Sequence, residues 1–234
     1  MYFFAHLLTG ILIGLGFFYL CNDRRLVAVC VAGSLFSDLI DKTLFFLIPG
    51  LFGSTRTIGH TLLLVAVFVI ATLILWYRCR IIAGIAFAGT ILIHQLLDLM
   101  CLQPVTWFFP LHGMFPLSPV SGVFLQFLWI ELANPSEWVF AFASCIIVLI
   151  MSADFPEFRP SFLSVRSIGL MQHGITGLLG ITSVWLIMTG IDTVTGAVPA
   201  LYPGPDKTLA AGLVALSAAF NLVLISGLRR PIFR

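Results

Sequence analysis

His94 and Asp98 stand four residues apart in the stretch ILIHQLLDLM, residues 91–100, with little but Leu, Ile and Met around them. Four residues is about one helical turn, so a helix here carries an imidazole and a carboxylate on one face. The pattern recurs upstream. Asp38 and Asp41 in GSLFSDLIDK are spaced i, i+3, Arg56 and His60 in STRTIGHTLLL are spaced i, i+4, and His6 lies in an apolar run near the start. Three imidazoles and three carboxylates are ligands of the kind that zinc, manganese and iron accept, comparable in principle to the carboxylate sites of helix bundles. The five cysteines (Cys21, Cys30, Cys79, Cys101, Cys145) form no Cys-x-x-Cys pair, and they read as small packing residues that give no soft-ligand bias.

Each group alone also has a plainer reading. His94 and Asp98 make an ion pair within a membrane helix, and Asp38 and Asp41 mark a helix end at the interface with Lys42 as a local partner. His6 is an interfacial histidine, and Arg56 an anchor at the headgroups. What decides between these readings is where the helices put the residues.

The chain has 234 residues, of which 60% are hydrophobic and 9% charged, with a mean hydropathy of +1.10. Soluble domains carry nearer a quarter charged residues, so this is an integral membrane protein. A net charge of +2 is too small to imply nucleic-acid binding. At roughly 20 apolar residues per crossing, the expected spans are about 2–20, 25–41, 61–77, 81–101, 137–153, 168–190 and 208–227. The first is a retained span and not a signal peptide, because Arg24 and Arg25 follow it instead of preceding it. The apolar piece 43–53 is broken by Pro49 and Gly50. The proline-punctuated 102–117 reads as a structured loop, and 118–133 as a re-entrant or partial helix. The fold class is therefore all-α: one polytopic helical bundle over 1–234, with 1–116 carrying the site and 117–234 supplying supporting helices.

Basic residues set the expected orientation. Arg24 and Arg25, Arg78 and Arg80, Arg159 and Arg166, and Arg229, Arg230 and Arg234 fill alternate connections and the C-terminus. Seven spans with the N-terminus outside put all of these on the cytoplasmic side of the plasma (inner) membrane. Because the first four spans alternate direction, His6, Asp38, Asp41, Arg56, His60, His94 and Asp98 all fall at one end of the bundle, the extracytoplasmic one. Ionisable groups inside a membrane are costly, and their gathering at one end points to a shared polar site. The small residues Gly10, Gly14 and Gly33 would let the first two helices approach closely. His112, in FPLHG, is a candidate additional ligand, and Glu137 a lesser one. Glu131 and Glu137 otherwise flank a solvated Asn134–Pro135 break, His173 is isolated near the start of a span, and Asp192 and Asp206 belong to an outer loop.

The ordered set AHLLTG, SDLIDK, RTIGHT and HQLLD followed by WFFP resembles the LexA-binding, inner-membrane-associated hydrolase family, the membrane-bound metal-dependent hydrolases. The match covers about residues 1–116. Ser37 stands where that family has a proline, and Lys42 where some members have a histidine. The family is in turn distantly similar to zinc-dependent phospholipases C and single-strand nucleases, whose helical folds include an H-x-x-x-D ligand pair. The resemblance implies hydrolysis of a phosphate ester at one to three metal ions, most readily zinc, while the substrate is not inherited with a fold. The expected ligands are then His6, Asp38, Asp41, His60, His94 and Asp98. Asp41 is alternatively the general base, and Arg56 holds a phosphate or developing oxyanion. Membrane lipids are the expected partners, and a lipid headgroup at the depth of the site is the expected substrate. Two rival readings use the same residues: a cation or proton transporter or channel, and a non-catalytic scaffold whose metal staples helices together.

Overall fold

The computed structural model describes residues 3–48, 54–115, 129, 132–152, 165–194 and 205–232. Among them the chain is helical and no strand is present. The helices are α1 (Phe3–Cys21), α2 (Arg25–Leu47), α3 (Leu62–Cys79), α4 (Ala83–Leu97), the short α5 (Pro104–Trp107), α6 (Pro135–Ser152), α7 (Val165–Val194) and α8 (Pro205–Ile232). Single 3₁₀ turns lie at Ile58–His60 and Met100–Leu102. Each of the seven expected spans coincides with a helix. Three segments, Phe3–Cys21, Leu62–Cys79 and Ser167–Asp192, are long and apolar enough to cross a bilayer; Ala83–Leu97, Pro135–Met151 and Thr208–Val223 are apolar but shorter. The expected re-entrant piece 118–133 lies almost wholly outside the described residues.

The chain divides into two compact units, one made mainly of Thr9–Glu131, the other of Tyr2–Leu8 with Leu132–Arg234. In the first, glycines set the spacing of the helices. A Cβ on Gly10 would meet the Ser34 side chain, and one on Gly14 the backbone of Val27, so both seat α1 on α2. Gly33 faces the other way: a Cβ there would meet the Thr90 hydroxyl and the Phe87 carbonyl of α4. The contact expected between the first two helices at Gly33 is thus a contact between the second and fourth. Leu26, Cys30 and Ala86 are fully buried between these helices. Phe36, Phe68 and Phe87 meet edge to face with centroids 5.1–5.4 Å apart, which fastens α2, α3 and α4 together.

Helix ends fall where local chemistry puts them, and two differ from the expectation. α2 continues through Leu47, because residues 43–47 contain no glycine or proline and the breakers come only at Pro49 and Gly50. Asp38 and Asp41 therefore sit inside α2 and not at its end. Arg56 and His60 are not on a helix face. α3 starts only at Leu62, capped by Thr61, whose hydroxyl oxygen accepts a hydrogen bond from the Leu64 N–H at 3.2 Å. At the other end, α4 stops at Leu97, where Asp98 is the cap and Leu99 turns left-handed at φ 54°.

In the second unit α7 and α8 pack closely, with Gly190 against Leu209 and Gly212 against Ile187. The Gln172 amide donates to the Leu222 carbonyl at 2.9 Å. The side-chain oxygen of Asn134 accepts from the Ser136 N–H and hydroxyl at 3.1 and 2.8 Å and so caps α6. Glu137 is buried and accepts from the Phe4 N–H at 2.9 Å. This corrects the solvated reading of Glu137: an acid in the first turn of α6 is taken up by an amide at the open N-terminal end of α1. Asp192 and Asp206 are helical as well, in α7 and α8.

Candidate metal centre

A pair of carboxylates one turn apart on α2 would be expected to share a job. Here their surroundings separate them. Asp41 is wholly buried, and its carboxylate is saturated. It accepts from the Thr57 N–H at 2.6 Å, the Thr57 hydroxyl at 2.8 Å and the Gly59 N–H at 2.6 Å, and it pairs with His60 Nδ1 at 2.7 Å. The loop reaches this close because residue 59 is glycine: a Cβ there would meet the Ser37 carbonyl and the Asp41 carboxylate itself. A carboxylate that accepts from so many donors is ionised, so His60 Nδ1 carries the hydrogen and Nε2 is turned away from Asp41.

His60 Nε2 points into a cluster of four buried groups, Asp38, His60, His94 and Asp98, whose ligand-type atoms all lie within 4.8 Å of one another. From His60 Nε2 the distances are 3.3 Å to His94 Nε2, 3.6 Å to Asp38 Oδ1 and 3.4 Å to Asp98 Oδ2. His94 Nε2 is 3.8 Å from Asp38 Oδ1. Four atoms placed about 2.0–2.2 Å from a common centre at tetrahedral angles stand roughly 3.3–3.6 Å apart. The four spacings just given, 3.3–3.8 Å, are close to those of a tetrahedral ligand set, and the group as a whole, within 4.8 Å, would draw in around an ion. Asp38 supplies a second sign. It is 4% exposed, and among the described residues neither of its oxygens has a hydrogen-bond partner. Its neighbours are Lys42 Nζ at 3.6 Å from Oδ2 and the two imidazole nitrogens facing Oδ1. A buried carboxylate without hydrogen bonds is costly unless a cation completes it. The donor set therefore fits a divalent metal.

Charge is distributed with the same logic. Arg56 Nη2 donates to Asp98 Oδ2 at 2.8 Å, a charge-assisted bond to a carboxylate of the cluster. His60 lies in the 3₁₀ turn ahead of the α3 span. Burial acts to lower its pKa, but hydrogen bonds and charge from Asp41 and Asp98 outweigh this and push it up to about 9.

The sequence-derived candidates divide as follows. Asp38, His60, His94 and Asp98 come together, and Arg56 and Asp41 touch them. His6 is buried near the start of α1 and belongs by contacts to the second unit. His112 is exposed and stacks on Phe108 with ring centroids 5.4 Å apart. His173 is exposed on α7. Sequence reasoning passed over Gln95, which is fully buried. Its amide nitrogen donates to the carbonyls of Gly59 and Thr61 at 3.0 and 3.2 Å, on either side of His60. Its oxygen accepts from the Trp107 indole N–H at 2.9 Å. The signal was present in HQLLD, since an amide in so apolar a helix must find partners.

No curated protein and no solved structure matches the chain. The model of one family, described as YdjM inner membrane protein, matches residues 1–160; that span holds the whole cluster, and the description names a membrane protein without mention of hydrolysis or of LexA. With its long apolar helices and this match over more than half its length, the chain belongs to the YdjM inner membrane protein family.

Proposed function

We propose that this protein is a metal-dependent hydrolase of the inner membrane, acting on a phosphate ester of a lipid or other membrane-associated substrate. One observation carries the reading: two imidazole nitrogens and two carboxylate oxygens, all buried, converge within 4.8 Å of one another, and among the described residues Asp38 has no hydrogen bond. Asp38, His60, His94 and Asp98 would hold one ion, zinc being the best match to this mixed nitrogen and oxygen set, with manganese or iron as substitutes. Such an ion supplies an acidified water and a Lewis acid for the bond to be broken. The chain's own residues do the rest. Asp41 fixes the tautomer and tilt of His60, and in this reading it orients a ligand instead of acting as ligand or base. Arg56 steadies Asp98 and, being planar and permanently charged, is suited to hold a phosphate oxygen or developing oxyanion beside it. His6 is not needed to complete the set of four.

The orientation belongs to the same proposal, with the N-terminus outside, the centre at the extracytoplasmic face and the C-terminus in the cytoplasm. It is supported by the arginine-bearing connections. The experiment is to incubate zinc-loaded and chelator-stripped protein with phospholipid in mixed micelles and to measure release of the phosphorylated headgroup or of phosphate. Zinc-dependent release that Arg56→Ala reduces at least tenfold is expected. Tight metal binding with no release from any phosphodiester or phosphomonoester lipid favours the scaffold instead. That reading has one observation of its own, since the cluster ties α2, the 58–60 turn and α4 together at full burial. Metal-dependent uptake of cations into vesicles, without hydrolysis, favours the transporter.

A further inference from the structure

Gln95 holds the backbone on both sides of His60, and Trp107 in turn holds Gln95. Trp107 ends α5, which packs against the 58–60 turn. The segment around it has two distinct sides. Met100 and Thr106 are buried, whereas Leu102, Val105, Phe108, Leu111 and Met114 are 64, 39, 36, 84 and 77% exposed. Five large apolar side chains presented outward within 13 residues are a strong departure from a water-facing loop. No Asp, Glu, Lys or Arg occurs anywhere between Leu99 and Ile130. The neighbouring surface says what covers them. α3 is of spanning length and composition, its apolar side chains are largely exposed, and it begins at Leu62, two residues after His60. Within the 102–114 segment, α5 packs against the 58–60 turn that leads into α3.

We propose that residues 102–114 are a lipid-seated platform, and that the Trp107–Gln95 bond transmits its seating to the metal centre by fixing His60. Gln95 is a positioning residue in this scheme and does not touch the metal. The inference rests on the reading of the cluster as a metal centre and adds a regulation to it: seating of the platform in a bilayer tightens metal binding by holding His60 in place. The bilayer is the occupant because the platform carries no Asp, Glu, Lys or Arg, packs through α5 on the turn that leads into a helix of spanning length, and holds aromatic rings of the kind that sit at the interface; Phe108 stacks on His112, and Phe109 on Phe115 with centroids 4.2 Å apart.

The test uses the full chain in phosphatidylcholine nanodiscs, with cobalt as the probe, read by its visible absorption. Trp107→Phe keeps the ring and removes the N–H donor; it is expected to weaken cobalt binding about fivefold and to alter the spectrum. Leu111→Asp with Met114→Asp, which puts charge into the platform, is expected to weaken binding similarly in the unsubstituted background and to add nothing in the Trp107→Phe background. A spin label at Met114→Cys in a cysteine-free chain is expected to be reached by oxygen and shielded from a water-soluble nickel chelate. Independent, additive effects of the two changes, an unchanged cobalt affinity, or a label open to the nickel chelate each overturn the coupling. If Trp107→Phe fails to fold, Gln95→Leu replaces it in the same cycle, with the same outcomes deciding. Absence of cobalt binding by the unsubstituted chain removes the metal centre itself, and the coupling with it.

Discussion

Asp41 shows how much one residue's surroundings alter its chemistry. It shares a helix face with Asp38, yet its oxygens are filled by Thr57, Gly59 and His60 while those of Asp38 have no hydrogen bond among the described residues. Such an outer carboxylate typically accounts for 10–100-fold in metal affinity. Asp41→Asn, which preserves shape and removes the charge, is therefore expected to weaken zinc binding by about that factor in a chelator competition, with the helix content unchanged by circular dichroism. Equal affinities would mean that His60 needs no orienting partner. The raised pKa of His60 gives a second expectation. Below about 9 the metal-free side chain keeps a proton on Nε2 that an incoming metal must displace. Apparent affinity should therefore rise by about one decade per pH unit on approaching pH 9 from neutrality and then flatten. Calorimetry in buffers of different ionisation heat should show about one proton released from this group at pH 7.5. A pH-independent affinity contradicts this arrangement.

At the scale of elements, the spacing between helices matters as much as the ligands. Gly33 lies on α2 more than a turn from Asp38, and any side chain there would run into Thr90 and Phe87 of α4. Gly33→Leu should push α2 away from α4 and separate Asp38 from His94. The expected result is overpacking of about 1–3 kcal/mol and loss of most metal binding, although no ligand is touched; retained stoichiometric metal would show that the two helices adjust independently of the site. Much of this level was legible beforehand. Apolar runs located the helices, because hydropathy is a sum over about 20 residues and tolerates local error; each expected span coincides with a helix, of which three hold segments long and apolar enough to cross a bilayer. Helix ends were not legible to the same degree. α2 overran its expected end because no breaker precedes Pro49, and Arg56 and His60 share no helix face because α3 begins only after Thr61, its cap, while Gly59 allows the loop to descend on Asp41. Of the six ligands expected from type, spacing and resemblance, Asp38, His60, His94 and Asp98 come together, while His6 and Asp41 are not in that group. The roles were harder to see, since whether an aspartate faces a nitrogen or an amide depends on loop geometry. The same geometry hid Gln95, whose partners are backbone groups.

For the whole molecule, the cluster is a buried group of carboxylates and imidazoles that could hold a metal ion, and the orientation would decide which compartment supplies it. The arginine pattern predicts a loop between α2 and α3 open to the outside. A cysteine introduced as Thr55→Cys in a cysteine-free chain should react with an impermeant maleimide in intact cells; reaction only from the cytoplasmic side of inverted vesicles would reverse the topology. The central claim is that Asp38, His60, His94 and Asp98 bind one metal ion. Elemental analysis of the purified chain, set beside Asp38→Ala and His94→Ala, addresses it most directly. The account predicts close to one equivalent of a transition metal, zinc foremost, in the unsubstituted protein, and less than about a tenth of that in either variant. A metal-free protein after growth and purification with zinc present, or variants that keep the full equivalent, would contradict it.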